Sequence, residues 1–186
     1  MVDEAKIEAA VKMLLEGMGE DPEREGLVDT PKRVARMYAE TLSGMDEKAG
    51  DHLARSFSYE AGDMVLERDI RFFSTCEHHL MPFFGKAHVA YLPNGRVAGL
   101  SKLARTVEVF AKRLQMQERM TGQIADALME ELDCQGAMVM LEAEHTCMTM
   151  RGVKKPGSST VTVAMRGAFE TDPALAQQFY AMLGRA

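Results

Sequence analysis

Two short clusters in the chain combine sulfur and imidazole: Cys76-Glu77-His78-His79 and His145-Thr146-Cys147. Borderline-soft Zn²⁺ favours those ligands, and Cys76 and His79, three positions apart on a turn, can reach one ion. The second cluster lies near the end of a strand expected over residues 136–150. On that strand Val139, Leu141, Ala143, His145 and Cys147 share one face, because side chains alternate with period two. A structural zinc site normally closes with four protein ligands, whereas a catalytic one uses three and keeps a water. Spacing leaves both forms open, and it does not choose between His78 and His79. In the three-ligand form, spare histidines stand ready to move protons beside the metal. The plain alternative is a buried cysteine acting as a small hydrophobe. Cys134 has no His or Cys neighbour and reads as structural, as do His52 and His88.

Gly99-Leu100-Ser101-Lys102-Leu103-Ala104-Arg105 opens a helical pattern, with Ser101 expected as its N-cap. Lys102 and Arg105 are three apart and project together. Cations at a helix N-terminus make a phosphate site, and Arg151 adds a third; a solvated basic face is the simpler reading. Gln117-Glu118 lies between two helical stripes. A carboxylate accepts two hydrogen bonds from the N1–H and exocyclic amine of guanine, and adenine lacks that N1–H donor. The simpler reading of Glu118 is an acidic residue at the positive end of a helix.

The elements that must carry these residues follow from periodicity. Residues 3–18 read as an amphipathic helix, and Thr30-Pro31 opens a second one. The polar stretch Met45–Ser56 reads as a connector. Residues 63–75 and 85–92 read as two strands of a hairpin, bounded by Pro82 and the Pro93-Asn94-Gly95 turn. Two helical stripes follow, Leu100–Leu114 and Met120–Leu132. Strands over 136–150 and 158–169 and a helix over 173–183 finish the order. Paired strands and blocked helices define α+β rather than alternating βαβ.

Lys plus Arg number 22 against 28 Asp plus Glu, a net charge of -6, which argues against broad nucleic-acid binding. A pocket in an acidic protein can still be locally basic. No apolar run approaches a membrane span, and the start MVDEAKIEAA has no secretory pattern, so a cytoplasmic protein is expected. Three cysteines suit thiol or metal chemistry better than a disulfide framework. Sixteen methionines read as soft core filler.

Five strings together closely resemble the GTP cyclohydrolase I family: Asp29–Ala35 (DTPKRVA), Ser74–Leu80 (STCEHHL), Gly99–Arg105 (GLSKLAR), Gln115–Arg119 (QMQER) and Glu144–Gly152 (EHTCMTMRG). The resemblance implies the tunnelling fold, an antiparallel sheet with helices on one face. The catalytic domain would span residues 59–186, preceded by a helical segment over residues 1–58. It implies hydrolysis of the imidazole ring of GTP, release of formate, and rearrangement to 7,8-dihydroneopterin triphosphate. Cys76, His79 and Cys147 become the Zn²⁺ ligands, and His78 and His145 the acid/base pair, with Ser101 assisting. Gln117 and Glu118, with backbone around Leu100, Ser101 and Met116, hold guanine. Lys102, Arg105 and Arg151 hold the triphosphate, joined by Arg33 and Arg36 from a neighbouring subunit. A homodecamer of two pentamers with active sites between subunits is implied as well. Two other readings compete: a tunnelling-fold deazaguanine nitrile reductase, which uses no catalytic zinc, and a zinc-stabilised guanine-nucleotide binding module that is not an enzyme.

Overall fold

Ala137, Val139, Leu141 and Ala143 are buried on one face of a strand, and Met138 and Met140 on the other. A strand apolar on both faces lies inside a sheet covered on both sides. The computed structural model describes residues 2–60 and 62–184. In chain order the elements are α1 (Glu4–Gly17), α2 (Thr30–Thr41), α3 (Ala49–Leu53), β1 (Ser56–Ser58), β2 (Val65–Cys76), β3 (Pro82–Leu92), β4 (Arg96–Ala98), α4 (Leu100–Ala111), β5 (Leu114–Gln115), α5 (Gln117–Leu132), β6 (Gly136–His145), α6 (Thr146–Thr149), β7 (Thr160–Gly167), α7 (Ala168–Thr171) and α8 (Pro173–Met182).

Five strands form one sheet in the order β5-β2-β3-β6-β7, and β1 pairs separately with β4. Every neighbour in the large sheet is antiparallel except β5, which runs parallel to the end of β2. The α+β class expected from the pattern is therefore present. The two long helices, α4 and α5, lay Leu103, Val107, Met120, Ile124 and Leu128 against the face that carries Val89, Val139 and Leu141. Phe169 and Phe179, from α7 and α8, cover Ala90, Met138 and Met140 at one end of the opposite face.

Several boundaries depart from the pattern. The strand expected to run to residue 150 stops at His145. Its last partner on β3 is Phe83, and β7 pairs no further than Ala143, so no ladder remains beyond it. The chain turns into α6 instead, closed by Met150 N–H to the Thr146 carbonyl at 3.1 Å. Cys147 therefore sits on a helical turn rather than on the strand face. Pro82 begins β3 instead of bounding it, since a strand's first residue tolerates proline. Gly99, not Ser101, occupies the N-cap of α4, and Ser101 lies exposed in its first turn. Asp29 likewise precedes α2, which starts at Thr30. The polar connector contains α3, whose Ala49 and Leu53 are buried in the main core. Arg113 holds that segment by donating to the carbonyls of Gly44 and Glu47, both at 3.0 Å.

Gly85 on β3 pairs with Ala143 and faces the backbone of β6. A Cβ there would lie 1.8 Å from the Glu142 carbonyl oxygen. Backbone cannot move aside as a flexible side chain can, so Gly85→Ala is expected to destabilise by about 1–3 kcal/mol. A lower urea midpoint at unchanged slope is the expected readout.

Candidate active site

The chain from Cys76 to Met81 forms a tight turn between β2 and β3. Leu80 N–H donates to the Cys76 carbonyl at 2.9 Å, and Cys76 N–H donates to the Met81 carbonyl at 2.8 Å. Leu80 pays for the turn with a left-handed backbone, φ 53°. The parallel bridge of β2 with β5 pairs Cys76 with Gln115, and Glu77 N–H donates to the Gln115 carbonyl at 3.1 Å. Residues 116–118 are thereby brought beside the turn. On the other side, β3 pairs Phe83 with His145, which delivers α6 and Cys147 to the same place.

Cys76, His79 and Cys147 each offer one ligand atom, and these atoms lie within 4.8 Å of one another. Zinc–sulfur and zinc–nitrogen bonds of about 2.0–2.3 Å with tetrahedral angles need separations of under about 4 Å, so the trio fits one ion after small side-chain adjustments. Among the described residues no other group of three His, Cys, Asp or Glu side chains converges in this way. Burial and the neighbouring Cys76 sulfur push the Cys147 thiol above its ordinary value. By contrast, Cys134 bonds the Leu128 carbonyl, and burial pushes its thiol up to about 11, as befits an inert core residue.

Around the trio lies a cavity of about 270 Å³ whose wall includes His78, Met116, Gln117, Glu118 and His145. His78 Nδ1 is 3.9 Å from the Cys76 sulfur. His145 stacks flat on Phe83, with ring centroids 4.6 Å apart and planes 4° apart, and its Nε2 lies 2.8 Å from Gln117 Oε1. Burial lowers the His145 pKa, and the Glu118 carboxylate opposes that shift. Arg119 pairs with Glu77 and also donates to Gln115 Oε1 at 3.2 Å, locking the turn to α5. The Arg119 hydrogen bond holds the Glu77 carboxyl below its usual range.

The structure therefore gathers Cys76, His79, Cys147, His78, His145, Met116, Gln117 and Glu118 around one cavity. Leu100, Ser101, Lys102, Arg105, Arg151, Arg33 and Arg36 do not line it. Ser101, Arg105, Arg151 and Arg36 are exposed, and Arg33 pairs with Asp29 at 3.3 Å. Phe83, Arg119 and Thr162 escaped sequence reading. Phe83 becomes visible only once the β3–β6 register is known, and Arg119 only once β5 is seen to run parallel to β2.

The β2–β3 turn and α6 together bring two thiols and an imidazole to one point, a possible metal site, beside two further imidazoles and a carboxylate, the groups of a candidate hydrolytic centre. The family model of GTP cyclohydrolase I matches residues 7–184. A protein of Clostridium kluyveri named GTP cyclohydrolase 1 is 62% identical over 182 residues, covering 98% of each chain. One of Carboxydothermus hydrogenoformans with the same name is 61% identical over 185 residues, covering 99% of this chain and 96% of its own. One of Streptococcus pneumoniae, also so named, is 58% identical over 183 residues, covering 98% of this chain and all of its own. The chain belongs to the GTP cyclohydrolase I family.

Proposed function

We propose that the chain converts GTP and water into formate and 7,8-dihydroneopterin triphosphate, the entry reaction to pterins and tetrahydrofolate. The observation that carries this reading is the convergence of Cys76, His79 and Cys147 beside two imidazoles, His78 and His145, that the trio leaves unused. Membership of the family supports it. Cys76, His79 and Cys147 would hold Zn²⁺, which when bound would supply a Lewis acid able to activate water near neutral pH.

The remaining work falls to the chain's own groups. Glu118 accepts from the guanine N1–H and 2-amine, with backbone around Leu100, Ser101 and Met116 completing the edge. A protonated imidazole, His78 or His145, donates to N7, because a neutral purine ring resists attack at C8. After ring opening, His145 and Ser101 assist ribose opening and ring closure. Lys102, Arg105 and Arg151 hold the triphosphate, joined by Arg33 and Arg36 of a neighbouring subunit, and act chiefly by positioning.

All five of those cations lie off the cavity wall, which supports a site completed between copies in a homodecamer. The exposed apolar side chains Met13 and Leu14 on α1, with Met18 just after it, agree with a helical segment that meets another copy. Among the described residues no helix is long and apolar enough to cross a membrane. We place the enzyme in the cytoplasm.

The direct test is incubation with GTP, oxidation, and measurement of pterin fluorescence and formate in equal amounts; their absence overturns the reading. Cys147→Ala is expected to lose both the metal and turnover, checked by metal analysis beside the assay. Stoichiometric zinc with full activity in that variant removes Cys147 from the ligand set. Glu118→Ala is expected to weaken GTP binding by about 1.5–3 kcal/mol, the range for hydrogen bonds to a charged group. An unchanged dissociation constant by calorimetry sinks the guanine role.

A further inference from the structure

Gln117 is 1% exposed, and its side chain is saturated by the fold. The amide nitrogen faces three acceptors: the Leu141 carbonyl at 3.1 Å, the Thr160 carbonyl at 3.0 Å and Thr162 Oγ1 at 3.0 Å. Turning the amide over would set its oxygen against two carbonyl oxygens, which only accept. Hence the nitrogen must face β6 and β7, and Oε1 must face His145. Carbonyl Oε1 also only accepts, so its partner His145 Nε2, 2.8 Å away, must carry a hydrogen.

The hydroxyls beyond agree with this direction. Thr121 Oγ1 donates to the Gln117 backbone carbonyl at 2.7 Å. Thr162 Oγ1, 2.7 Å from Thr121 Oγ1, is then free to donate to it and to accept from Gln117. One consistent relay results: His145 to Gln117, Gln117 to Thr162, Thr162 to Thr121, and Thr121 back to the backbone of Gln117. The two amide hydrogens are shared among three acceptors on β6 and β7, which leaves only the oxygen of Gln117 for His145. Phe83, fully buried, fixes the ring plane of His145 by stacking.

We infer that Gln117 is a positioning residue for His145, with Thr162 as its anchor, and that its side chain does not recognise guanine. It fixes the ring of His145 by accepting from Nε2, while Phe83 fixes the ring plane. Both N–H donors of the amide are spent on the sheet, so a base contact through them would break buried hydrogen bonds. This inference rests on the GTP cyclohydrolase reading above. It deepens that reading by separating the two neighbours at the start of α5: Glu118 binds, Gln117 orients.

The test separates kcat from KM. Gln117→Met keeps length and loses the acceptor. It is expected to lower kcat by about 10- to 100-fold, the usual effect of losing an orienting partner of an active-site imidazole. KM, and the GTP dissociation constant of zinc-stripped protein, are expected to stay within about twofold. Thr162→Val is expected to lower kcat in the same manner, and Thr162→Ser, which keeps the hydroxyl, to restore it. Zinc content is measured for each variant and is expected to match the parent. A Gln117→Met enzyme with unchanged kcat, or with a raised KM at parental kcat, overturns the inference. If Gln117→Met does not fold, the threonine pair decides: equal kcat in the Val and Ser variants overturns it. A parent protein that makes no pterin refutes the GTP reading itself, and that result is distinct from each of these.

Discussion

Two residues of parallel strand hold this molecule's chemistry together. Thr75 pairs with Leu114 and Cys76 with Gln115, in a sheet that is otherwise antiparallel. Parallel neighbours need a long crossover, and here β3, β4 and α4 provide it. The consequence is geometric: the chain leaving β5 enters α5 beside the turn that carries Cys76 and His79. Glu77 N–H to the Gln115 carbonyl, and Arg119 to the Glu77 carboxylate, fasten the two segments from opposite sides. An antiparallel β5 would send α5 away from the turn and separate Gln117 and Glu118 from Cys76 and His79.

The second constraint is polar burial. Gln117 and Thr121 are almost fully buried, and Gln115 with them, yet each has partners. A buried amide without partners costs free energy, whereas a satisfied network specifies one arrangement. That is why the wall of the cavity can contain rigid polar groups without a loss of packing. Leu128, Ile124 and Met120 on the same helix α5 sit fully buried in the main core a turn or two away. The apolar stripe anchors the helix, and the anchored helix holds the amide still. Orientation of His145 thus depends on hydrophobic packing through a chain of named contacts.

Much of this was legible from residue types and periods. The α+β class, both long helices and the central strands follow from alternation and helical stripes, because Val139, Leu141, Leu103 and Val107 bury as their patterns require. The convergence of Cys76, His79 and Cys147 was foreseen, although by a route that proved partly mistaken. Cys147 reaches the site from the turn of α6 rather than from the strand face, since β6 loses its ladder partners at His145. Elements of two to five residues, such as β5, α3 and α6, were invisible because they are shorter than any period that could announce them. Gln117 shows a different limit. Its residue type suits a base contact equally well, and only the three acceptors around its nitrogen reveal that the donors are already engaged.

Charge bears on the location of the rest of the site. The groups on the cavity wall that can ionise are histidines, cysteines and Glu118; no Lys or Arg lines it. A triphosphate carries several negative charges, and Glu118 would repel rather than hold it. In the proposed function, counter-charge would come from Lys102 and Arg105 on α4, Arg151 after α6, or Arg33 and Arg36 on α2. With the chain at -6 overall, a diffuse attraction cannot substitute for placed cations. Glu118 and the Cys76, His79 and Cys147 trio share one cavity within the chain, while the cations proposed for the triphosphate do not line it. In the proposed assembly, a second copy that set its cations across the mouth of the cavity would resolve the imbalance.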